Sequence, residues 1–427
     1  MTQRIVSVGD DFALPTGTKV LDSHLPTRLT PTALDAKFAQ AAVTPVPMGN
    51  RVVFLGDSLT VREDREPSAA IPNPRRRATS IANYASMLSK QRINYVWNAG
   101  YAGDTSAMML ARFDADVTPY KPSAVFVLAG ANDSKVLTPL ATYKANMMAI
   151  FAKCKSIGAR PILATVTPDS EVAKKPYIAR YNAWLRRHAA ENGYLLVDLY
   201  KTMVDPATGN IQAAYDSDGT HFSLPGIVAA GTAVANTLAP QLPDVGPALP
   251  WDNVDPANKI TNGLFTGPLG VTSGYPSGWL GVPGPAPRAG ITTSTRVATG
   301  VPGAWFTMTA SAFTTSQTLY QDVSAIPGHR YAFVGRVNVT GIDPTTNPLR
   351  VSARMNFNAS SVDEYSFRAM DRLLYPVPDG TFYIEGVAPS DATTVRAMFY
   401  LESVTASNGV VEFAQVSIMD LTDLGLA

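Results

Sequence analysis

The sequence predicts a parallel α/β domain followed by an antiparallel β-sandwich. Three observations point there. A chain of 427 residues is too long for one ordinary domain. Between about residue 50 and residue 243, short continuous apolar runs alternate with helical patterns. Beyond a cluster of prolines the composition shifts to Thr, Ser, Val, Tyr and Phe in alternating stretches.

Taken in order, residues 1–48 carry prolines and loosely spaced apolar anchors (Leu14, Val20, Leu25, Leu29, Leu34 and Phe38). The spacing is too loose for a core, so this segment is expected to lie against the main domain or a partner. It lacks a basic start followed by an apolar stretch, so it does not read as a secretory signal. Residues 49–243 form the α/β region. Strands are expected at Val52–Leu55, Asn94–Trp97, Ala124–Leu128, Pro161–Val166 and Leu195–Leu199. Helices are expected at Ser80–Lys90, Ser106–Asp116, Pro139–Ile157, Pro176–Asn192 and Leu224–Leu238. Strands that are apolar throughout suit a parallel sheet covered on both faces. Pro240, Pro243, Pro247, Pro250 and Pro256 mark a stiff linker, 244–257. Residues 258–427 alternate at Arg330–Val339, Leu349–Phe357 and Val410–Ile418, with turns at Pro327-Gly328, Asp379-Gly380 and Asn408-Gly409.

Composition excludes several classes. The net charge of +1 gives no electrostatic case for nucleic-acid binding. The single cysteine, Cys154, excludes an internal disulfide framework and a cysteine-based metal site. No run reaches membrane-spanning length.

The chemistry starts at Gly56-Asp57-Ser58-Leu59, which closes the first apolar strand. A serine on that turn projects from the sheet edge, but its hydroxyl needs an adjacent base to act as a nucleophile. Four histidines are available. His188 sits on an apolar helix stripe and reads as a core residue, while His24 and His329 lie in turn regions outside the α/β domain. His221 lies just before the last helix, three residues after Asp218. That spacing lets the carboxylate reach Nδ1 and leave Nε2 free to take the serine proton. Two loops follow other strands: Asn98-Ala99-Gly100-Tyr101-Ala102-Gly103-Asp104-Thr105 and Gly130-Ala131-Asn132-Asp133. A glycine N–H (Gly100 or Gly103), the Asn132 amide and the Ser58 N–H would together form an oxyanion hole. Asp57 and Asp133 read as structural acids that hold the loops.

These four blocks, in this order, resemble the SGNH (GDSL) hydrolase family of esterases, lipases and carbohydrate deacetylases, over about residues 50–240. The resemblance implies a flavodoxin-like three-layer α/β/α fold with no metal or organic cofactor. It implies Ser58 as nucleophile, Asp218 and His221 as the rest of the triad, and Gly103 and Asn132 as oxyanion donors beside the Ser58 N–H. The Gly100 or Gly103 choice is resolved by the family pattern, which favours Gly103.

Substrate is less legible. The polar loop 61–79 holds Arg62, Arg65, Arg75, Arg76 and Arg77 and reads as a solvated loop, with contact to an anionic glycan as the alternative. No large apolar lid is evident, which argues against a long-chain lipase. The C-terminal region resembles jelly-roll carbohydrate-binding modules through Asn262-Gly263-Leu264-Phe265, Leu319–Val323 and Pro327–Tyr331. Tyr275, Trp279, Trp305 and Tyr320 could stack on sugar rings, but each reads more readily as a core or packing aromatic. Such a module beside an esterase favours deacetylation of a polysaccharide. The partner expected is therefore an acylated polysaccharide or glycolipid. Stretches within residues 10–38 resemble the start of phage minor tail proteins, which implies virion assembly through that segment. The competing class is an adhesion protein whose esterase fold has lost its role.

Overall fold

In a computed structural model the described residues are 49–61, 75–77, 80–244, 249–342, 349–358, 366–373, 376–403 and 405–426, with backbone alone at 61, 75–77 and 366–373. The expected N-terminal anchor, His24, Arg62 and Arg65 lie outside them.

Five parallel strands form the first sheet, in the order β3-β1-β4-β5-β6. They are β1 (Arg51–Gly56), β3 (Asn94–Gly100), β4 (Ala124–Leu128), β5 (Arg160–Ala164) and β6 (Leu196–Val197). The two-residue period of a strand divides each one between two cores. Val52 and Phe54 of β1, with Ala124 and Phe126 of β4, face a core shared with α2 (Ile81–Leu88) and α8 (Leu224–Leu238). Val53, Leu55, Val125 and Val127 face the opposite core. That core is closed by α3 (Ser106–Asp116), α5 (Leu140–Ser156) and α6 (Lys175–Asn192). Two buried faces explain why β1 and β4 read as unbroken apolar runs. The result is a three-layer α/β/α arrangement.

The chain leaves β1 toward β3 on one side and returns to β4 on the other. This reversal makes the C-terminal end of β1 the topological switch point, where open α/β sheets gather their sites.

Helix starts follow ordinary capping. Ser80, Thr105 and Ser223 accept from the backbone N–H groups of Asn83, Met108 and Gly226. The same chemistry corrects one boundary. The expected strand Leu195–Leu199 stops at Val197, because the Asp198 side chain accepts from Lys201 N and opens α7 (Leu199–Met203). His188 is also corrected. It is half-buried, stacked between Phe151 and Trp184 at 5.7 and 5.0 Å between ring centres.

Two sheets make the sandwich. One has the order β14-β11-β16-β9-β8: β8 (Ile291–Arg296), β9 (Trp305–Phe313), β11 (Arg330–Thr340), β14 (Val377–Val387) and β16 (Ser407–Asp420). The other has the order β2-β13-β12-β15-β10-β7. It holds β2 (Arg75–Arg77), β7 (Leu280–Val282), β10 (Ser316–Ser324), β12 (Arg350–Phe357), β13 (Ser366–Leu373) and β15 (Thr394–Glu402). On β15, Val395, Ala397, Phe399 and Leu401 point inward, while the residues between them are part-exposed. Phe399 stacks on Phe413 of the facing sheet at 3.7 Å.

One expectation changes here, and one open alternative is decided. Part of the polar loop after the nucleophile, Arg75–Arg77, is a strand that pairs in parallel with β13. A run of three arginines has no strand alternation, so only the unpaired edge of a distant sheet recruits it. Three of the four candidate stacking aromatics are interior: Tyr275, Trp279 and Trp305 are 2, 4 and 3% exposed. The Trp279 indole donates to Asn262 O, and the part-buried Tyr320 ring is covered by the Arg396 guanidinium at 3.9 Å.

The α/β layer and the sandwich share one apolar core, and Met48–Ala427 is one compact unit. α2 is the seam, packed between the sheet, α8 and β14. At its end Gln91 Nε2 donates to Thr381 O at 2.5 Å, and Lys90 pairs with Asp379 at 3.0 Å. In the proline-rich stretch, Pro250 O accepts from the buried Gln415 amide at 3.0 Å.

Candidate active site

Ser58 stands at the first residue of the short helix α1 (Ser58–Val61), directly beyond β1. Asp57 shapes that turn. Its Oδ1 accepts from Leu59 N at 2.9 Å and its carbonyl from Thr60 N at 3.0 Å. Gly56 is required by close approach. A Cβ there would stand 2.0 Å from Thr60 Oγ1 and 2.9 Å from Leu128 O.

The Ser58 hydroxyl lies 2.9 Å from His221 Nε2, and His221 Nδ1 lies 2.8 Å from Asp218 Oδ2. Asp218 Oδ1 accepts from the backbone N–H of His221 at 2.8 Å and of Thr220 at 3.1 Å. The His221 N–H is the main cause holding the Asp218 carboxyl down at about 2, and the imidazole and Thr220 N–H groups reinforce it against partial burial. The carboxyl is therefore ionised and can only accept. Nδ1 must carry the proton, which leaves the Nε2 lone pair facing the serine hydroxyl. The sequence-predicted trio is thus one hydrogen-bonded chain, though its members come from loops 163 residues apart.

Gly103 lies in the loop between β3 and α3 with φ +88°, a conformation costly for any residue with a Cβ. Asn132 lies in the first turn of α4 (Ala131–Lys135). Its Nδ2 donates to Asp104 O at 3.0 Å, and the longer contact to Asp57 Oδ2 is 3.4 Å. The structure therefore brings Asn132 onto both the nucleophile turn and the Gly103 loop.

Asp133 ties the same loops together. It accepts from Ser106 N at 2.8 Å and Ser106 Oγ at 2.6 Å. Burial pushes its carboxyl above the ordinary range. Asp57 is pushed up to about 7, by burial first and then by the neighbouring Asp133 and Asp104 charges.

Sequence reasoning missed Arg112 on α3. Its guanidinium donates to Asp104 at 2.6 Å, Asp116 at 2.9 Å and Gly56 O at 2.9 Å, and lies 4.3 Å from the Tyr101 ring. It thereby fixes the base of the nucleophile turn to the Gly103 loop. Only the i,i+4 pair with Asp116 was visible in the sequence.

His329, outside the α/β domain, faces Asp420 at 3.0 Å and Asp423 at 3.4 Å.

Residues 54–226 match the GDSL-like lipase/acylhydrolase family. Esterase TesA of Pseudomonas aeruginosa is 29% identical over 145 residues, 34% of this chain and 70% of that protein. The uncharacterized lipoprotein YqeF of Bacillus subtilis is 30% identical over 95 residues, 21% of this chain and only 39% of its own length. A G-D-S-L family lipolytic protein of Desulfitobacterium hafniense is structurally similar at TM-score 0.37 and 25% identity, covering 44% of this chain and 100% of that one. A catalytic mutant of an acetylxylan esterase of Geobacillus stearothermophilus gives TM-score 0.38 at 19% identity, covering 45% of this chain and 95% of that one. The matched span holds both the Gly56-Asp57-Ser58 turn and the histidine loop, so the α/β part of the chain is a GDSL-like lipase/acylhydrolase domain, the SGNH hydrolase type.

Proposed function

We propose that this protein is a serine ester hydrolase that removes O-acyl groups, acetyl foremost, from a surface polysaccharide. The observation that carries the reading is the unbroken Ser58–His221–Asp218 chain. In the proposed cycle His221 Nε2 takes the Ser58 proton as Oγ attacks the ester carbonyl. The negative oxygen is received by the Ser58 and Gly103 N–H groups and the Asn132 amide. The imidazolium, steadied by Asp218, then protonates the leaving alkoxide as the C–O bond breaks. Water, deprotonated by the same Nε2, cleaves the acyl-enzyme to the free acid and restores Ser58.

Support for a polysaccharide comes from the likeness of residues 258–427 to carbohydrate-binding modules. With Tyr275, Trp279 and Trp305 interior, they take no part in holding sugar. A second reading, hydrolysis of longer acyl esters, has its own observation. Tyr101, Met108, Val136, Leu137 and Val172 are exposed apolar side chains, all in segments that follow β3, β4 and β5 at the Ser58 end of the sheet. The likeness of the N-terminal segment to phage tail proteins supports a virion-borne location, which immunodetection on purified particles tests.

The deciding experiment is hydrolysis of a chromogenic acyl series, with acetate release from surface polysaccharides. Wild type is expected to exceed Ser58→Ala by at least about 10³-fold on acetyl esters. Equal rates for the two would end the enzymatic reading and leave adhesion. A rate that climbs toward long chains would favour the second reading.

A further inference from the structure

A buried ion pair that the proposed cycle does not use stands behind the histidine loop. Asp169 and Lys174 lie beyond the C-terminal end of β5, and both side chains are 6% exposed. Their Oδ2 and Nζ are 2.9 Å apart. Lys174 Nζ also meets Glu171 Oε2 at 3.0 Å, and Asp169 Oδ1 accepts from Glu171 N at 2.8 Å. Asp169 Oδ2 has one further partner, the Thr220 hydroxyl, at 2.9 Å. Thr220 stands between Asp218 and His221. Next to this bond, Ser170 N donates to Gly219 O at 2.8 Å.

The segment that holds the pair is rigidly based. Asn182 of α6 clamps Val166 through both its N–H, at 2.7 Å, and its carbonyl, at 2.8 Å. Lys174 is the cap of α6, and its carbonyl accepts from Ile178 N at 3.0 Å. The histidine loop is the opposite case. Asp218 and His221 side chains are 51% and 33% exposed. The bonds that the Asp216 and Asp218 carboxylates accept from the Asp218, Gly219, Thr220 and His221 N–H groups set the loop's shape, but they run within the loop. Its place relative to Ser58 needs bonds to something fixed.

We infer that Asp169, held by Lys174, is a positioning residue for the acid–base loop and acts on it through Thr220. The inference rests on the reading of Ser58, Asp218 and His221 as a triad. Burying a lysine and an aspartate costs desolvation that a pair of apolar side chains would avoid. The pair supplies what they cannot: an ionised acceptor, fixed by its own cation, for the hydroxyl between the two triad members. A displacement of about 1 Å at a reacting group lowers rate by about 10²-fold, which sets the scale of the effect.

The test uses the full chain with Thr220→Val, Thr220→Ser and the double variant Asp169→Leu with Lys174→Met. Thr220→Val keeps shape and loses the hydroxyl, so kcat should fall about 10- to 100-fold with KM within about twofold. Thr220→Ser restores the hydroxyl and should recover most of kcat. The double variant leaves no orphaned charge, so it should melt near wild type and still show the kcat loss. A purely structural pair predicts the reverse, with kcat following stability. Wild-type kcat in Thr220→Val, or in the double variant, overturns the inference. Ser58→Ala run alongside separates the two failures. If it is inactive while Thr220→Val is normal, the triad stands and the positioning role falls. If it keeps wild-type activity, the triad reading falls and takes this inference with it.

Discussion

Two buried acids, one in each half of this molecule, behave in opposite ways. At the Ser58 end of the parallel sheet, Asp57 is 1% exposed with hydrogen-bond donors from Leu59 and Asn132, and burial raises it to about 7. In the sandwich, Glu412 is 4% exposed and burial pushes its carboxyl upward too. There the Arg296 guanidinium, at 2.5 and 2.7 Å, prevails with Asn338 and Thr307 and brings it below the ordinary range. On the sandwich surface, Arg396 grips the exposed Asp322 in the same fork, at 2.7 Å through both its oxygens. In the scaffold a cation holds Glu412 below the ordinary range. At the reactive edge, neutral donors hold Asp57 with its ionisation point near neutrality.

Three substitutions probe how the two halves differ. The largest effect should come from Asp57. Its folded-state value lies above the unfolded 3.8. The folded chain therefore holds a proton that the unfolded chain releases, and stability falls as pH rises from about 4 to 7. A rise of about three units corresponds to at most about 4 kcal/mol. Denaturant titrations at pH 4.5 and 7.5 (chosen as about the ends of that window) should show this slope in wild type and lose it in Asp57→Asn. An identical slope in both would mean that Asp57 is an ordinary ionised carboxylate. Next comes Asn132→Ala, which should lower kcat about 10²–10³-fold, roughly 3–4 kcal/mol, with little change in KM. A loss confined to KM would remove Asn132 from the oxyanion hole. Smallest is Glu412→Ala, expected to cost roughly 2 kcal/mol of stability by leaving Thr307, Asn338 and Arg296 unpaired. The kcat/KM of the folded fraction should stay within about twofold. A larger kinetic loss would show that the sandwich feeds into the chemistry.

The reactive edge was more legible in the sequence than the scaffold was, and the reason is locality. Strand β1, the turn Gly56-Asp57-Ser58 and the pair Asp218-His221 each declare themselves within a few residues. Strand periodicity then puts their ends at one sheet edge. Arg112 and Asp169 did not stand out, because their meaning lies in partners 56 and 51 residues away, and Lys174 matters through Asp169. The same holds for Tyr275, Trp279 and Trp305. An aromatic in a turn-rich β-region looks the same whether it faces sugar or core, and only the packing of both sheets decides. The pairing of Arg75–Arg77 was invisible for a further reason. Its partner β13 belongs to the other end of the chain, and nothing in a run of three arginines marks it as a strand.

The seam at α2 has a mechanical consequence. Because Met87 and its neighbours belong to the same apolar core as β11 and β14, the two halves cannot swing about the proline-rich stretch as beads on a string. They should melt in one cooperative step, and cutting the chain between them would strip a hydrophobic face from each. Any polymer gripped by the sandwich would then meet Ser58 at a set distance along its length. The outer domain would work as a ruler, selecting which acyl group along a strand is removed, where a flexible tether would only raise the local concentration of substrate.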